Sequence, residues 1–356
     1  MFSASGFFIQ VMAWTLEPQQ VINMNKNVTK VSLAAAIAAV SFGMSQAQAA
    51  DFNFTFAHVL IEETPNGQAA LRFKEEVEEK SDGRISIEVL PAAQVGGDVE
   101  IIEQIQMGLV DIGIPPTATL GNFEPRMQIL DLPFLIPDYD TMVETLDGEV
   151  GREILDTLDD DNMYGVNFWG AGFRHITNNV RPIETPEDLA AIRMRTMQAP
   201  IIISTYENLG ANATAMAFTE VYNGLQQGVV EGQENPLANI YTMRFYEVQD
   251  YLSLTSHAYH AYAAVINNDS WNSLPDDLKE VMIEAFDNGR DASRQLTLED
   301  EEKIMEDIKD EIAINEITDE ARAAFVEASM PVHAEYENIV TTELLHKVYD
   351  AVGIEY

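Results

Sequence analysis

Twice along this chain a strand-like segment leads into a helix-like one and then into another strand, and no other feature narrows the fold so far. In FNFTFAHVL (residues 52–60) Phe52, Phe54 and Phe56 alternate with other residues, the period of a strand with one buried face. A helical pattern over about 67–80 follows, Ser81-Asp82-Gly83 turns the chain, and RISIEVLP sets Ile85, Ile87 and Val89 on one face of a second strand. Asp98 is placed to cap a helix over VEIIEQIQMG, and LVDIGI reads as a third strand. Strand, helix, strand, helix is the order of a parallel α/β sheet.

The pattern then restarts. A helix is expected over about 142–158 and a strand over GVNFWGAGF (165–173). ETPEDLAAI gives a short helix with Thr185 as N-cap, Pro186 at N1 and Asp188 at N3. IRMRT is the next strand, helices follow near 201–209 and 220–227, and HAYAAVINN (260–268) is a late strand. From Pro275 to about Asp350 the pattern is helical with long charged faces. Two α/β units joined by a returning strand predict two lobes with a cleft between them. Residues 51–171 plus about 261–300 would form lobe I, and 172–260 plus about 301–350 lobe II. Ligands of open α/β sheets bind at the carboxyl ends of the strands.

Composition removes several classes of chemistry. The chain has no cysteine, which excludes disulfides, zinc–thiolate sites, iron–sulfur clusters and cysteine nucleophiles. A formal charge of −39 disfavours nucleic acid and anionic membrane as partners and resembles the acidic surfaces of proteins from salty media. The N-terminal segment has its own logic. From Met24, Lys26 and Lys30 form a basic region, Val31–Met44 is an apolar run too short for an ordinary span, and Ala47-Gln48-Ala49 is a small-x-small cleavage signal. Residues 24–49 therefore read as a secretory signal peptide, and residues 1–23 as an upstream extension from a start assigned too early. The mature chain is expected to be exported.

Enzyme signatures are missing: no G-x-S-x-G, Walker loop, H-E-x-x-H, or G-x-G-x-x-G after a strand occurs. HAYH (257–260) is the closest histidine pair. Within a strand its i,i+3 spacing faces opposite sides, so metal binding is not expected. What stands out is IRMRTMQAP (192–200), two arginines in an apolar strand of an acidic chain. Arg193 is expected at the surface, pairing with Glu184, Glu187 or Asp188. Arg195, at the strand's carboxyl end before a helix, is placed to point into the cleft and grip a carboxylate through two parallel hydrogen bonds. In VVEGQENPLANIY (229–241), Asn235 offers both a donor and an acceptor, though an ordinary turn would use the same residues.

MAFTEVYNGLQQGVVEGQENPLANIY (216–241), GFRHITNNVRPIETPEDL (172–189), LPAAQVGGDVEIIEQIQMGLVDIGI (90–114) and LDLPFL (130–135) occur in one order with IRMRTMQAP. Together they resemble the solute receptors of TRAP (tripartite ATP-independent periplasmic) transporters, over residues 52–345. The resemblance implies a two-lobed periplasmic binding protein with hinge strands and a long connecting helix. It would bind a small organic acid without cofactor, metal or catalysis, and deliver it as a monomer to the small and large subunits of a sodium-coupled permease. It puts Arg195 on the arginine that pairs with substrate carboxylate, Arg174 on a second basic residue at the pocket, Phe218 on an aromatic wall, and Asn235 and Gln198 on polar contacts. Trp169, Thr119 and His58 sit near strand ends facing the cleft and serve equally well as packing residues. Phe218 where ectoine receptors have tryptophan, Val59 where they are acidic, and Pro116 and Thr119 where sialic-acid receptors have Glu and Arg set both ligands aside. A uronate-like sugar acid or a small dicarboxylate is expected. A sensor using the same pocket, or an exported hydrolase, is the competing reading.

Overall fold

A computed structural model describes residues 49–354. The expected extension (1–23) and all but the last residue of the expected signal peptide (24–49) lie outside the described residues. Among the described residues no helix is long and apolar enough to cross a membrane.

The first α/β unit forms as its periodicity requires: β1 (Phe52–Ala57), α1 (Pro65–Lys80), β2 (Ile85–Leu90), α2 (Asp98–Gln106) and a two-residue β3 (Ile112–Gly113). β1 pairs in parallel with β2 and with β3. The Thr64 side chain caps α1 by accepting from the Gly67 amide at 3.0 Å. The expected cap at Asp98 is not made. Gly97 takes the N-cap position, Asp98 is the first helical residue, and its side chain caps nothing.

After α3 (Thr117–Leu120), the helix expected over 142–158 is two helices, α4 (Tyr139–Leu146) and α5 (Glu149–Asp156), followed by a 3-10 turn over Thr157–Asp161. The break falls at Gly148, which packs so tightly that a Cβ there would lie 2.5 Å from the Glu144 carbonyl oxygen. β4 is longer than the expected 165–173 and runs over Met163–Asn178. Its first part pairs antiparallel with β9 (Tyr259–Asn267), and its last part with β7 (Gly232–Pro236) and β8 (Tyr251–Leu254). The register breaks between Gly170 and Phe173, where Gly172 adopts φ +94°, a conformation glycine reaches at little cost.

Beyond β4 come β5 (Arg193–Thr196), α6 (Pro200–Asn208), β6 (Asn212–Ala215), α7 (Val221–Gln226), β7 and α8 (Leu237–Thr242). β5 pairs in parallel with β6 and β7. The strand order is β2-β1-β3-β9-β4-β7-β5-β6, with β8 on the last part of β4. After α9 (Asn268–Ser273), α10 (Asp276–Ile308) has 33 residues and is about 50 Å long. β10 (Ala313–Glu316) interrupts the expected helical run by pairing in parallel with β8, and α11 (Asp319–Val340) and α12 (Thr342–Val352) complete the chain. The architecture is the expected two-lobed α/β fold, with β4 and β9 as crossing strands and α10 as the connecting helix.

α10 packs on α1 and β4, and farther along on α8. Its key contact is glycine against tryptophan. Trp169 is fully buried between Phe56, at 6.2 Å between ring centroids, and the face of α10 at Gly289. A Cβ on Gly289 would lie 2.4 Å from Trp169 Cζ2, and the enclosed indole has nowhere to move. Gly289→Ala should therefore lower unfolding free energy in urea by about 1–3 kcal/mol, although an open helical glycine would gain about 1 kcal/mol from the same change. A stabilised variant would mean that α10 does not press on Trp169.

Candidate functional site

β5 sends two arginines in the same direction to different depths. By strand alternation Arg193 and Arg195 share a face, but they stand about 7 Å apart along it. Arg193, at the strand's start, is exposed and pairs with Glu231 at 3.2 Å. Its Nε and Nη2 donate to the carbonyls of Val229 and Gly228. It is a surface residue as expected, but its partner is none of Glu184, Glu187 or Asp188, and the Asp188 carboxylate accepts from the Thr185 amide instead.

Arg195 is 2 % exposed. Its Nε and Nη2 both donate to the Met216 carbonyl, at 3.0 and 2.7 Å, and its buried Nη1 has no partner among the described residues. Burial lowers its pKa to about 10, so it stays protonated at neutral pH. The Nε edge of the fork is thus committed to backbone, and a carboxylate can be gripped only end-on, through Nη1 and the second hydrogen of Nη2.

Arg195 lines a cavity whose walls come from the carboxyl ends of several strands. Val59 follows β1, Pro116 and Thr119 follow β3, Met197 and Gln198 follow β5, and Met216, Ala217 and Phe218 follow β6. Asn235 and Asn239 come from β7 and α8, His260 and Tyr262 from β9, and Asp98 from the start of α2. Five of the residues expected at the site, Arg195, Asn235, Phe218, Gln198 and Thr119, are therefore brought together. Phe218 is held edge-on against Phe245, at 6.1 Å between centroids. Gln198 is exposed at the rim, and its carbonyl accepts from Asn122 Nδ2 at 2.7 Å.

The direction of the Asn235 amide is set by a chain of side-chain hydrogen bonds. Asn239 donates to Asn235 Oδ1 at 3.2 Å, Asn235 to Gln233 at 2.6 Å, Gln233 to Thr177 at 2.8 Å, and Thr177 to Gln249 at 2.9 Å. With one Nδ2 hydrogen used, what Asn235 keeps for the cavity is its other N–H, a donor suited to an anion.

Three expected members lie outside the lining. Trp169 is packed under α10. His58 is 2 % exposed, and burial lowers its pKa to about 4, which leaves it neutral. Arg174 is the instructive case. It is fully buried behind the cavity wall, and its Nε and Nη2 engage both oxygens of Glu234, with a further bond from Nη2 to the Glu234 carbonyl at 2.9 Å. Its Nη1 donates to His260 Nδ1. Burial alone would raise the Glu234 pKa, but the Arg174 charge and the bonds from His257 and Arg174 outweigh it and hold the carboxyl at about 2. Because Nδ1 accepts from an arginine, the neutral His260 ring carries its proton on Nε2.

His257 also reaches Glu234, at 3.4 Å, so the two histidines of HAYH converge on one ion pair rather than facing apart. The alternation argument misses this because β9 begins at Tyr259, leaving His257 in the preceding loop. Asp98, His260, Tyr262 and Asn239 are the lining residues with polar side chains that sequence reasoning did not place at the site. The glycine pair before Asp98 is the one local signal for it: Gly97 takes the capping position and frees the carboxylate for the cavity.

Removing Glu234 would leave Arg174 charged and unpaired at zero exposure. Glu234→Ala should cost about 3–5 kcal/mol in urea unfolding, and Arg174→Met combined with Glu234→Leu should recover most of it. The pair's contribution is present above the unfolded-state pKa of 4.5 and is lost as pH falls toward 2. A double variant no more stable than Glu234→Ala would count against this account.

Comparison with known proteins places the arrangement. Residues 56–339 match the family described as bacterial extracellular solute-binding protein, family 7. The C4-dicarboxylate-binding protein DctB of Bacillus subtilis (strain 168) is 34% identical over 299 residues, covering 83% of this chain and 85% of that protein. The succinate-bound TRAP periplasmic solute binding protein of Sulfurospirillum deleyianum aligns with a TM-score of 0.80 at 32% identity, over 84% of this chain and 98% of that one. The sugar acid binding protein DctPAm of Advenella mimigardefordensis, in complex with galactonate, aligns with a TM-score of 0.81 at 32% identity, over 86% and 99%.

Proposed function

From the premise that this chain belongs to family 7 of the bacterial extracellular solute-binding proteins, we infer that it is an extracytoplasmic receptor for a small organic acid, delivering it to a sodium-coupled TRAP permease. The observation that carries this reading is Arg195: a protonated guanidinium, 2 % exposed, with a buried Nη1 that no described residue satisfies, in a cavity at strand ends. A substrate carboxylate satisfies that donor, and hydrogen bonds to charged groups contribute roughly 1.5–3 kcal/mol each. Asn235 supplies a neutral donor beside it, and Phe218 an apolar wall. Residues 51–171 with about 261–300, and 172–260 with about 301–350, are the lobes that close on the ligand. The signal peptide over 24–49 would take the mature chain to the periplasm, where it would work as a monomer with the small and large permease subunits. Similar proteins with bound succinate and galactonate support an acid ligand.

The chain's −39 charge does not oppose this. The Debye length is about 8 Å at physiological ionic strength and about 3 Å at 1 M, so the acidic surface is screened while a contact to Arg195 is not.

A thermal-shift screen of sugar acids, dicarboxylates, amino acids and compatible solutes identifies the ligand class by mass action. Calorimetry with the best ligand then tests the roles. Arg195→Lys should fold and lose most affinity, since an ammonium does not reproduce the end-on fork. Asn235→Ala should lose less, about threefold to thirtyfold, for one neutral hydrogen bond, and Arg193→Lys should bind as the parent does. Near-parental affinity in Arg195→Lys, or a large loss in Arg193→Lys, would remove Arg195 from the role.

A further inference from the structure

The cavity holds one uncompensated cation and one uncompensated anion, and they do not satisfy each other. Asp98 lines it, half-buried, and neither a hydrogen bond nor an ion pair ties its carboxylate to any described residue. Arg195 lines the same cavity with its buried Nη1 unpartnered. The two lie farther apart than the 4.0 Å of an ion pair. No other lining residue is charged. Arg174, the other arginine nearby, is spent on Glu234, and His260, accepting from Arg174, is held neutral, its pKa lowered well below the usual value by burial and by Arg174.

We propose that Asp98 is the second anchor of the ligand site, accepting a hydrogen bond from a hydroxyl of a substrate whose single carboxylate lies on Arg195. The receptor is then selective for hydroxylated monocarboxylates, the sugar-acid class, over C4-dicarboxylates. The inference rests on the receptor reading above and narrows it. A ligand with a second carboxylate would bring it against Asp98 with no free cation to neutralise it. A hydroxyl instead gives its proton to Asp98 and keeps its oxygen free to accept. The rest of the lining suits the same class. Asn235, Asn239 and Tyr262 are neutral groups of the kind that pair with hydroxyls, and Phe218 offers a flat face to the C–H groups of a sugar chain or ring. An ammonium would also pair with Asp98, but it would share the cavity with the Arg195 charge. Burial raises the Asp98 pKa to about 7, with Arg195 opposing and Glu100 adding to the shift, so above that pH the carboxylate is a full acceptor.

The test is calorimetry at about pH 8 on the folded mature chain with galactonate, glucuronate, succinate and γ-aminobutyrate, repeated with Asp98→Ala and Asp98→Asn. The parent should bind a sugar acid at least about tenfold more tightly than succinate or γ-aminobutyrate. Asp98→Ala should lose about tenfold or more for the sugar acid while succinate binding holds or improves, and Asp98→Asn, which keeps an acceptor oxygen but no charge, should fall between. Circular dichroism melts confirm that the variants are folded. Equal or tighter binding of succinate or γ-aminobutyrate by the parent, or Asp98 variants that leave all affinities unchanged, overturns the inference and leaves the receptor reading standing. Failure of the folded parent to bind any of the four, with no acid found in the wider screen, overturns both.

Discussion

The buried ion pair between Arg174 and Glu234 is the interaction on which the site depends. Both side chains have essentially no solvent exposure, and each would be costly there without the other. An apolar pair of similar volume would serve stability as well or better, so stability is a poor explanation for charge at this point. Its positional consequences explain more. Arg174 sits on β4 and Glu234 on β7, so the pair ties the crossing strand to the strand that carries Asn235. The bond from Arg174 Nη1 fixes the His260 tautomer on the other crossing strand, β9. By consuming Arg174, the pair leaves Arg195 as the one arginine or lysine that lines the cavity among the described residues.

That division could not be read from the arginines themselves. Arg174, Arg193 and Arg195 look alike in the sequence, and what separates them is the partner each finds. For Arg174 the partner is sixty residues away, and for Arg193 the nearest carboxylate is thirty-eight away. Local reading chose Glu184, Glu187 and Asp188 for Arg193 because they were close in sequence. The place of Arg195 in the cavity was legible because it follows from position alone. It stands next to the carboxyl end of a parallel strand that leads to a helix, and strand ends of open α/β sheets form binding clefts.

The fold was legible for the same reason. Period-two and helical patterns depend on which face is buried, and the large core enforces that everywhere. Reading failed where one residue decided the outcome. Gly148 splits one expected helix into two. Gly97, by taking the cap position, converts Asp98 from a helix-capping residue into a cavity residue. β10 has four residues in a strongly acidic stretch, and only its pairing with β8 makes it a strand. Strand alternation does not apply to the His257–His260 pair, because His257 lies outside β9. In each case the pattern was present but its boundary was set by a contact distant in sequence.

The remaining question is what holds the walls of the cavity together. Few direct bonds join the β3–α3 side to the β5–α6 side. Asn122 Nδ2 donates to the Gln198 carbonyl at 2.7 Å, and the Ile201 amide donates to Gln128 Oε1 at 3.2 Å. Hydrogen bonds of this kind contribute about 1 kcal/mol each in net terms, so these two bonds join the walls only weakly. A ligand that touches Arg195 on β5 and the α2–α3 side at once adds contacts that only the closed form offers. Its binding then shifts the population toward closure by as much as its affinity for the two forms differs. The unsatisfied Nη1 of Arg195 is a physical reason for the closed form to favour a ligand that brings an anion to it.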